Sequence, residues 1–143
     1  MKLLDVNVLV AACNADAAEH ALAMDALQQS YADGKVALPW MVLLGFLRLT
    51  TRTGILPRPL SLLQALEQVN IWLEHDDTVV VQPTARHAGI VSRLLIGAGQ
   101  AGNLVMDAHL AALAIEHDAQ LLSFDRDFGR FAGLQWHWLQ MGN

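Results

Sequence analysis

The chain has almost no cysteine and no long run of apolar residues. Its single cysteine, Cys13, has no disulfide partner within the 143 residues, which excludes a disulfide-stapled domain and favours a reducing, cytoplasmic setting. The apolar stretch at residues 36–47 is shorter than the roughly 20 residues that span a bilayer. Asp5 and Asn7 interrupt the apolar N-terminus, which leaves too short a core for a signal peptide. We therefore expect a protein without a membrane segment.

Charged residues are also scarce, at 16% of the chain, and the formal net charge is −5. A negative protein does not attract nucleic acid as a whole, so contact with RNA would need metal ions and a local basic rim. Arginines spaced by four residues could form such a rim, and the alternative is that they are ordinary solvated side chains. Arg48 and Arg52 make one such pair, and Arg126 and Arg130 make the other.

Apolar residues make up 54% of the sequence, which excludes a disordered chain and suffices for the core of one domain over residues 1–143. Short apolar strands alternate with helices, a pattern that predicts an α/β fold: a mainly parallel central sheet flanked by helices, in three layers. Asn7 is the expected N-cap of the first helix. Predicted strands cover residues 2–5, 36–38, 78–82, 120–124 and 134–138, and helices are predicted to begin near residues 8, 17, 39, 61, 84 and 103, with a short helix at 128–131.

Three aspartates lie where one predicted element gives way to the next. Asp5 and Asp125 each close an apolar strand, and Asp107 lies in the first turns of a very apolar helix. Ligands of parallel sheets bind beyond the carboxyl ends of the strands, so we expect these carboxylates to gather there. Gathered carboxylates repel one another unless a cation lies between them, and oxygen-rich sites suit Mg²⁺ or Mn²⁺. The pattern indicates a metal-dependent enzyme that acts on phosphates.

Each aspartate also has a purely structural interpretation. Asp5 could be a turn or cap residue, Asp127 could cap the short helix that follows it, and Asp107 could lie on a narrow solvent face. For Asp107 we favour the role of a site residue over the structural one. A carboxylate in a helix that is apolar nearly all round is costly to bury without a partner. Ser123 could orient a carboxylate or a phosphate through its hydroxyl.

The remaining motifs do not suggest another chemistry. The histidines lack the spacing of a zinc site, and no phosphate-cradling glycine loop is present. His109 projects from a different helix face than Asp107, and we interpret it as structural. Trp136 and Trp138 alternate along the last strand, and we expect both to be buried against neighbours, nucleotide stacking being the alternative.

The ordered set of motifs resembles the PIN domain family, and within it the VapC-like toxins of bacterial toxin–antitoxin pairs. The resemblance covers almost the whole chain. The matching stretches are Leu-Asp-Val-Asn-Val-Leu at 4–9, Pro-Trp at 39–40, Phe-Leu-Arg-Leu-Thr at 46–50, the helix at 102–114 around Asp107, and Ser-Phe-Asp-Arg-Asp-Phe at 123–128.

The resemblance implies a homodimeric, metal-dependent endoribonuclease that uses Mg²⁺ or Mn²⁺ and is blocked by a cognate antitoxin. By position, the metal-binding catalytic acids would be Asp5, Asp107 and Asp125, with Asp127 as an auxiliary ligand. Asn7 and Ser123 match the polar residues that support these acids, and Arg48 and Arg126 are weaker candidates for RNA binding.

One position departs from the family pattern. The remaining acid of the family normally lies just before the Phe-Leu-Arg stretch, and here that position is Gly45. Glycine in a helix interior costs about 1 kcal/mol relative to alanine, so local propensity does not explain it. Gly45 is either an inactivating change, which we favour because the other site elements are intact, or the mark of a naturally degenerate member. Both interpretations predict weaker metal binding.

Two further functions compete with the ribonuclease. A non-catalytic protein of the same fold could bind an antitoxin and help to repress its own operon, which Gly45 favours and the retained acids oppose. A hydrolase of small phosphate compounds is the third, and the missing phosphate-cradling loop argues against it. The RNA target and the cleavage sequence do not follow from the residues.

Overall fold

The computed structural model describes residues 1–142, in which five short strands form one parallel sheet. The strand order is β3-β2-β1-β4-β5, and every neighbouring pair is parallel. The predicted α/β fold with a parallel central sheet is therefore confirmed. The strands are β1 (Lys2–Leu4), β2 (Val36–Ala37), β3 (Thr78–Val79), β4 (Gln120–Ser123) and β5 (Trp136–Trp138).

Six α-helices connect the strands within the described residues, and 3-10 helices occur at Gly102–Leu104 and Arg126–Arg130. Helix α4 begins with a capping box in which Ser61 and Gln64 bond each other's backbone N–H, as its sequence favours. None of the helices in residues 1–142 has the length and hydropathy needed to cross a bilayer. The helices are α1 (Val6–Ala12), α2 (His20–Ala32), α3 (Trp40–Thr51), α4 (Leu62–Glu74), α5 (His87–Ala98) and α6 (Val105–Glu116).

The predicted start of the first helix is wrong. Asp5, not Asn7, is the N-cap of α1: its backbone is extended, and its carboxylate accepts a hydrogen bond from the N–H of Val6 at 2.7 Å. Both residue types cap helices well, and β1 ends one residue earlier than expected, which moves the cap to Asp5. Helices α2 and α5 begin three residues later than predicted, at His20 and His87.

The order of the strands places a topological switch point between β1 and β4. From β1 the chain proceeds outward through β2 and β3, and it then returns to β4 and proceeds to β5 on the other side. The connections on the two sides diverge at this point, which leaves a crevice beyond the carboxyl ends of the two central strands. The residues that follow β1 and β4, Asp5 and Asp125, lie at this crevice.

The core anchors these strand ends rigidly. Leu3, Leu4 and Leu121 of the central strands have no solvent exposure, and neither has Phe128 of the 3-10 helix that follows Asp125. Burial of such side chains contributes roughly 1.5–3 kcal/mol each. The acidic crevice therefore rests on well-packed elements.

Candidate active site at the sheet edge

Asp5 is a buried carboxylate with two hydrogen bonds. It is 8% exposed, one carboxylate oxygen accepts the N–H of Val6, and the other accepts the hydroxyl of Ser123 at 2.6 Å. Burial raises the pKa of Asp5 and the charge of Asp125 adds to the increase, while the hydrogen bonds from Ser123 and Val6 oppose it. Each oxygen keeps a free lone pair, so the group can still bind a cation.

The hydroxyl of Ser123 links the elements of the crevice. It donates to Asp5, and it accepts the side-chain amide of Asn7 at 3.1 Å and the N–H of Asp125 at 2.9 Å. These three bonds use its one donor and both acceptors. The amide oxygen of Asn7 accepts the N–H of Phe124 at 3.3 Å. Asn7 and Ser123 therefore hold β1, α1 and the end of β4 in one arrangement.

Asp125 caps the 3-10 helix at Arg126–Arg130 by accepting the N–H of Asp127 at 2.9 Å. The alternative in which Asp127 is this cap is therefore wrong. Asp127 lies in the first turn of the 3-10 helix, and Arg130 approaches one of its carboxylate oxygens at 3.7 Å. Asp127 is thus partly neutralised by its own helix, whereas the second oxygen of Asp125 points to no such partner among residues 1–142.

The carboxyl group of Asp107, on helix α6, interacts electrostatically with the other acids. Its pKa is raised to about 6, first by burial and then by repulsion from Asp125, Asp5 and Asp127. None of these causes lowers the pKa, so nothing in the described residues compensates its charge. Asp107 is thus close enough to the other predicted ligands for their charges to act on it.

Helix α6 is largely buried, as its apolar sequence predicts, but its first turn is exposed. Val105 is 40% exposed and Met106 is 55% exposed, whereas residues 110–114 are buried. Asp107 itself is half-buried at the border between the two parts. Its carboxylate can therefore reach solvent and solutes, as a ligand residue must.

The raised pKa of Asp107 makes the stability of the metal-free protein depend on pH. Because the folded protein binds this proton more tightly than the unfolded chain, the Asp107 contribution to the free energy of unfolding falls as pH rises from 3.8 to about 6. Since solvent screens a half-buried carboxyl, we expect a loss of about 1 kcal/mol, which Asp107→Asn should abolish. Urea denaturation in EDTA at about pH 4.5 and about pH 7 measures it.

Asp25→Asn is the matched control, since Asp25 is an exposed aspartate on α2. We expect it to keep the pH dependence of the unchanged protein. If Asp107→Asn and the unchanged protein lose the same stability between the two pH values, the raised pKa of Asp107 is not the source of the effect.

Gly45 lies against the first residue of α1. A Cβ atom at this position would approach Cγ2 of Val6 at 3.2 Å, which is tighter than ordinary contact. Gly45 also lines a groove of about 370 Å³ together with Val6, Met106 and Arg48. Val6 directly follows Asp5, and Met106 directly precedes Asp107. Because both line the groove with Gly45, a longer acidic side chain at position 45 would lie near the other carboxylates.

Arg48 and Arg126, the two candidates for RNA binding, are both exposed. Arg48 lines the groove beside Gly45, and Arg126 directly follows Asp125 at the start of the 3-10 helix. Neither forms an ion pair with another residue of the described part of the chain. Their guanidinium groups are thus free to contact an anionic ligand.

His109 lies outside the acidic crevice, as its helix position predicts. Its Nδ1 atom is 2.8 Å from Nε2 of His87, and Nδ1 of His87 is 2.5 Å from a carboxylate oxygen of Glu116. Glu116 also accepts two hydrogen bonds from Thr84, so its buried charge is compensated. The network joins α5 to α6 and supports the structural interpretation of His109.

The site acids suit a divalent metal ion by the chemistry of their donors. Carboxylate oxygens are the ligands that Mg²⁺ and Mn²⁺ prefer, and a cation would relieve the repulsion that, after burial, contributes to the raised pKa of Asp107. However, residues 1–142 contain no group of three or more His, Cys, Asp or Glu side chains arranged to hold an ion. Mg²⁺ is commonly bound by one or two carboxylates plus waters and substrate phosphates. The residues fit an ion held in that way, not a cage made wholly of protein.

The fold and the site together define an α/β protein with a carboxylate-lined crevice at the switch point of a parallel sheet. A family model described as PIN domain matches residues 2–134. Ribonuclease VapC37 of Mycobacterium tuberculosis is 45% identical over 137 residues, which cover 95% of each protein. VapC ribonuclease Mb2897 of Mycobacterium bovis is 38% identical over 137 residues, which cover 95% of this chain and 93% of that protein. The chain belongs to the PIN domain family and is a VapC-like member of it.

Solved structures show the same fold at lower identity. The toxin VapC20 of Mycobacterium tuberculosis, described as cleaving the sarcin–ricin loop, is 20% identical with a TM-score of 0.67, and the match covers 94% of this chain and 96% of that chain. VapBC2 of Rickettsia felis, bound to a DNA fragment from its promoter, is 18% identical with a TM-score of 0.68, over 95% of this chain and 96% of that chain. The resemblance to the PIN fold is confirmed.

Proposed function

We propose that this protein is a metal-dependent endoribonuclease, the toxin of a toxin–antitoxin pair. The observation that carries the proposal is the position of Asp5, Asp107 and Asp125 at the switch point, where burial and then their mutual repulsion raise the pKa of Asp107 to about 6. Relatives named as ribonucleases, aligned over nearly the whole chain, support the same activity.

The proposed reaction is hydrolysis of a phosphodiester bond in RNA. Oxygen from water bonds to phosphorus, the bond from phosphorus to one ribose oxygen breaks, and that oxygen takes up a proton. Mg²⁺ or Mn²⁺, when bound, lowers the pKa of a water molecule and offsets the negative charge of the phosphate. Asp5, Asp107 and Asp125 would hold the ion, with Asp127 as an auxiliary ligand.

The other residues of the crevice position these acids or attract the substrate. Ser123 and Asn7 fix the carboxylate of Asp5 and the backbone at Asp125 through the hydrogen bonds described above. Arg48, in the groove beside Gly45, and Arg126, directly after Asp125, are exposed and would contact RNA phosphates. Such contacts are needed locally because the net charge of the chain is −5.

The proposed partners are an antitoxin, an RNA and a second copy of the chain, and we place the protein in the cytoplasm. The similar folds include FitAB bound to a DNA fragment, 17% identical with a TM-score of 0.68, besides the VapBC2 complex.

A non-catalytic protein that binds an antitoxin and represses its operon is the second candidate. Gly45 and the lack of a three-ligand group in residues 1–142 favour this alternative.

Incubation of the purified protein with transfer, ribosomal and messenger RNA, in Mg²⁺, Mn²⁺ or EDTA, tests the proposal. We expect new RNA ends in the presence of either metal ion and none in EDTA, because the acids alone do not activate water. Cleavage that persists in EDTA would contradict the metal dependence. If no RNA class is cut by this chain or by its Gly45→Glu variant, the ribonuclease proposal fails and the antitoxin-binding protein becomes the better explanation.

A further inference from the structure

Trp138 lies at the same edge of the sheet as the acids. It ends β5, which is parallel to β4, and the register pairs Trp138 with Ser123. The carboxyl ends of β1, β4 and β5 therefore supply Asp5, Asp125 and Trp138 to one edge. Neighbouring strands are only about 4.8 Å apart, which places Trp138 one strand from the centre of the crevice.

The side chain of Trp138 projects from the face of the sheet that carries Ser123. Residues in register on adjacent strands project to the same face, and successive residues alternate. His137, Leu139 and Leu122 line a groove with residues of α2, which is on the other face. Trp138 thus shares a face with the hydroxyl that binds Asp5.

The two tryptophans of β5 differ in what they contact. Trp136 is half-buried and packs on Gly129, where a Cβ atom would approach its ring at 2.9 Å. Trp138 is 38% exposed, which corrects the expectation that both would be buried. Its indole N–H donates to the carbonyl of Phe124 at 3.1 Å, and Phe124 directly precedes Asp125. Trp136 therefore completes the packing, whereas Trp138 is a fixed, accessible ring beside the site.

An accessible aromatic ring can supply affinity for RNA that the charge of this protein does not. With a net charge of −5 and several carboxylates in the crevice, general electrostatic attraction does not supply the affinity for a polyanion. Stacking of bases on aromatic side chains does not depend on charge and tolerates any base. Because Trp138 is already held by its hydrogen bond, little conformational freedom is lost on stacking.

We propose that Trp138 is the platform on which a nucleobase of single-stranded RNA stacks next to the bond to be cut. This assignment rests on the proposed ribonuclease function. It adds a binding residue on β5 to a site otherwise built from β1, β4 and the helices. Arg126, exposed after Asp125, would contact a phosphate of the same strand.

Fluorescence anisotropy with a labelled single-stranded RNA of about 12 nucleotides, in EDTA so that none is cut, tests the proposal. We expect Trp138→Ala to raise Kd by about tenfold and Trp138→Phe by less than about threefold, because phenylalanine retains an aromatic face. His137→Ala, the neighbouring exposed residue on the opposite face, should leave Kd unchanged. Thermal melting of each variant verifies that it is folded.

The phenylalanine variant separates stacking from a merely structural role. It keeps the ring but loses the hydrogen bond to Phe124, so equal losses in Trp138→Ala and Trp138→Phe would overturn the proposal. Salt dependence gives a second criterion: Trp138→Ala should keep the slope of log Kd against log salt, whereas Arg126→Ala should reduce it by about one.

The same measurement distinguishes failure of this inference from failure of the function. If the unchanged protein binds RNA and Trp138→Ala binds it equally well, the stacking platform is wrong and the ribonuclease proposal stands. If the unchanged protein neither binds nor cuts single-stranded or structured RNA, in EDTA or in Mg²⁺, the ribonuclease proposal fails and the platform fails with it.

Discussion

Replacing Asp5 by asparagine is expected to lower the rate of RNA cleavage by at least about 100-fold with little loss of stability. A cation that polarises a phosphate contributes several kcal/mol to the transition state, and each 1.36 kcal/mol corresponds to about tenfold in rate. Asparagine removes the negative charge and one of the two carboxylate oxygens. Rates measured at saturating Mg²⁺ report the loss.

The stability of Asp5→Asn should stay within about 1 kcal/mol of the unchanged protein. Asparagine caps helices as well as aspartate does, so the bond to the N–H of Val6 is kept. The bond from Ser123 is lost if the amide nitrogen faces it, because the Ser123 hydroxyl already accepts two other donors. Burial raises the pKa of Asp5, so its charged form is disfavoured. Removal of this buried charge by asparagine offsets part of the cost.

Asp5→Ala serves as the comparison because it removes both bonds. We expect it to lower the free energy of unfolding by about 2 kcal/mol and to abolish cleavage as Asp5→Asn does. If Asp5→Asn retains more than a tenth of the cleavage rate while the protein stays folded, Asp5 is only the N-cap of α1. The structural interpretation of this residue would then be correct.

The position of the acids could be predicted because it depends mainly on the alternation of strands and helices. Asp5 and Asp125 follow apolar strands, and parallel strands bring their carboxyl ends to one edge. The role of Ser123 depends instead on the long-range register that pairs Leu4 with Leu122. No local pattern encodes that register, so only a general supporting role could be predicted for Ser123.

The errors concern residues whose surroundings are set by tertiary structure. Trp136 and Trp138 look equivalent in the sequence, but β5 is an edge strand with β4 as its neighbour, and the short helix around Gly129 covers one ring and not the other. In α6 the apolar pattern is correct, yet the first turn extends beyond the core and exposes Met106. Periodicity shows which faces can be buried, not how far the covering elements reach.

The Gly45→Glu variant is expected to cut RNA at least about tenfold faster than the present chain and to bind Mg²⁺ more tightly. Its side chain would extend along the groove that Val6 and Met106 line, beside the neighbours of Asp5 and Asp107. The Cβ atom needs Val6 to shift by a few tenths of an ångström, since the contact would be 3.2 Å. A better helix propensity, up to about 1 kcal/mol, offsets this strain.

Gly45→Gln and Gly45→Ala separate the charge from the size of the new side chain. Both introduce the Cβ contact with Val6, and glutamine also matches the length of glutamate. In EDTA the added carboxylate repels the other acids, so Gly45→Glu should be less stable than Gly45→Gln. Excess Mg²⁺ should reverse that order, because tenfold tighter binding adds about 1.4 kcal/mol to the free energy of unfolding.

The comparison with the present chain decides what Gly45 means. If Gly45→Glu cuts RNA and the present chain does not, the glycine disables a site whose other residues are intact. If both cut equally well and Mg²⁺ stabilises them equally, Asp5, Asp107 and Asp125 suffice and position 45 is not a ligand position in this protein. If Mg²⁺ stabilises Gly45→Glu more than Gly45→Gln but neither cuts, the fourth carboxylate restores metal binding without activity. A protein that binds an antitoxin would then be the better explanation of the fold.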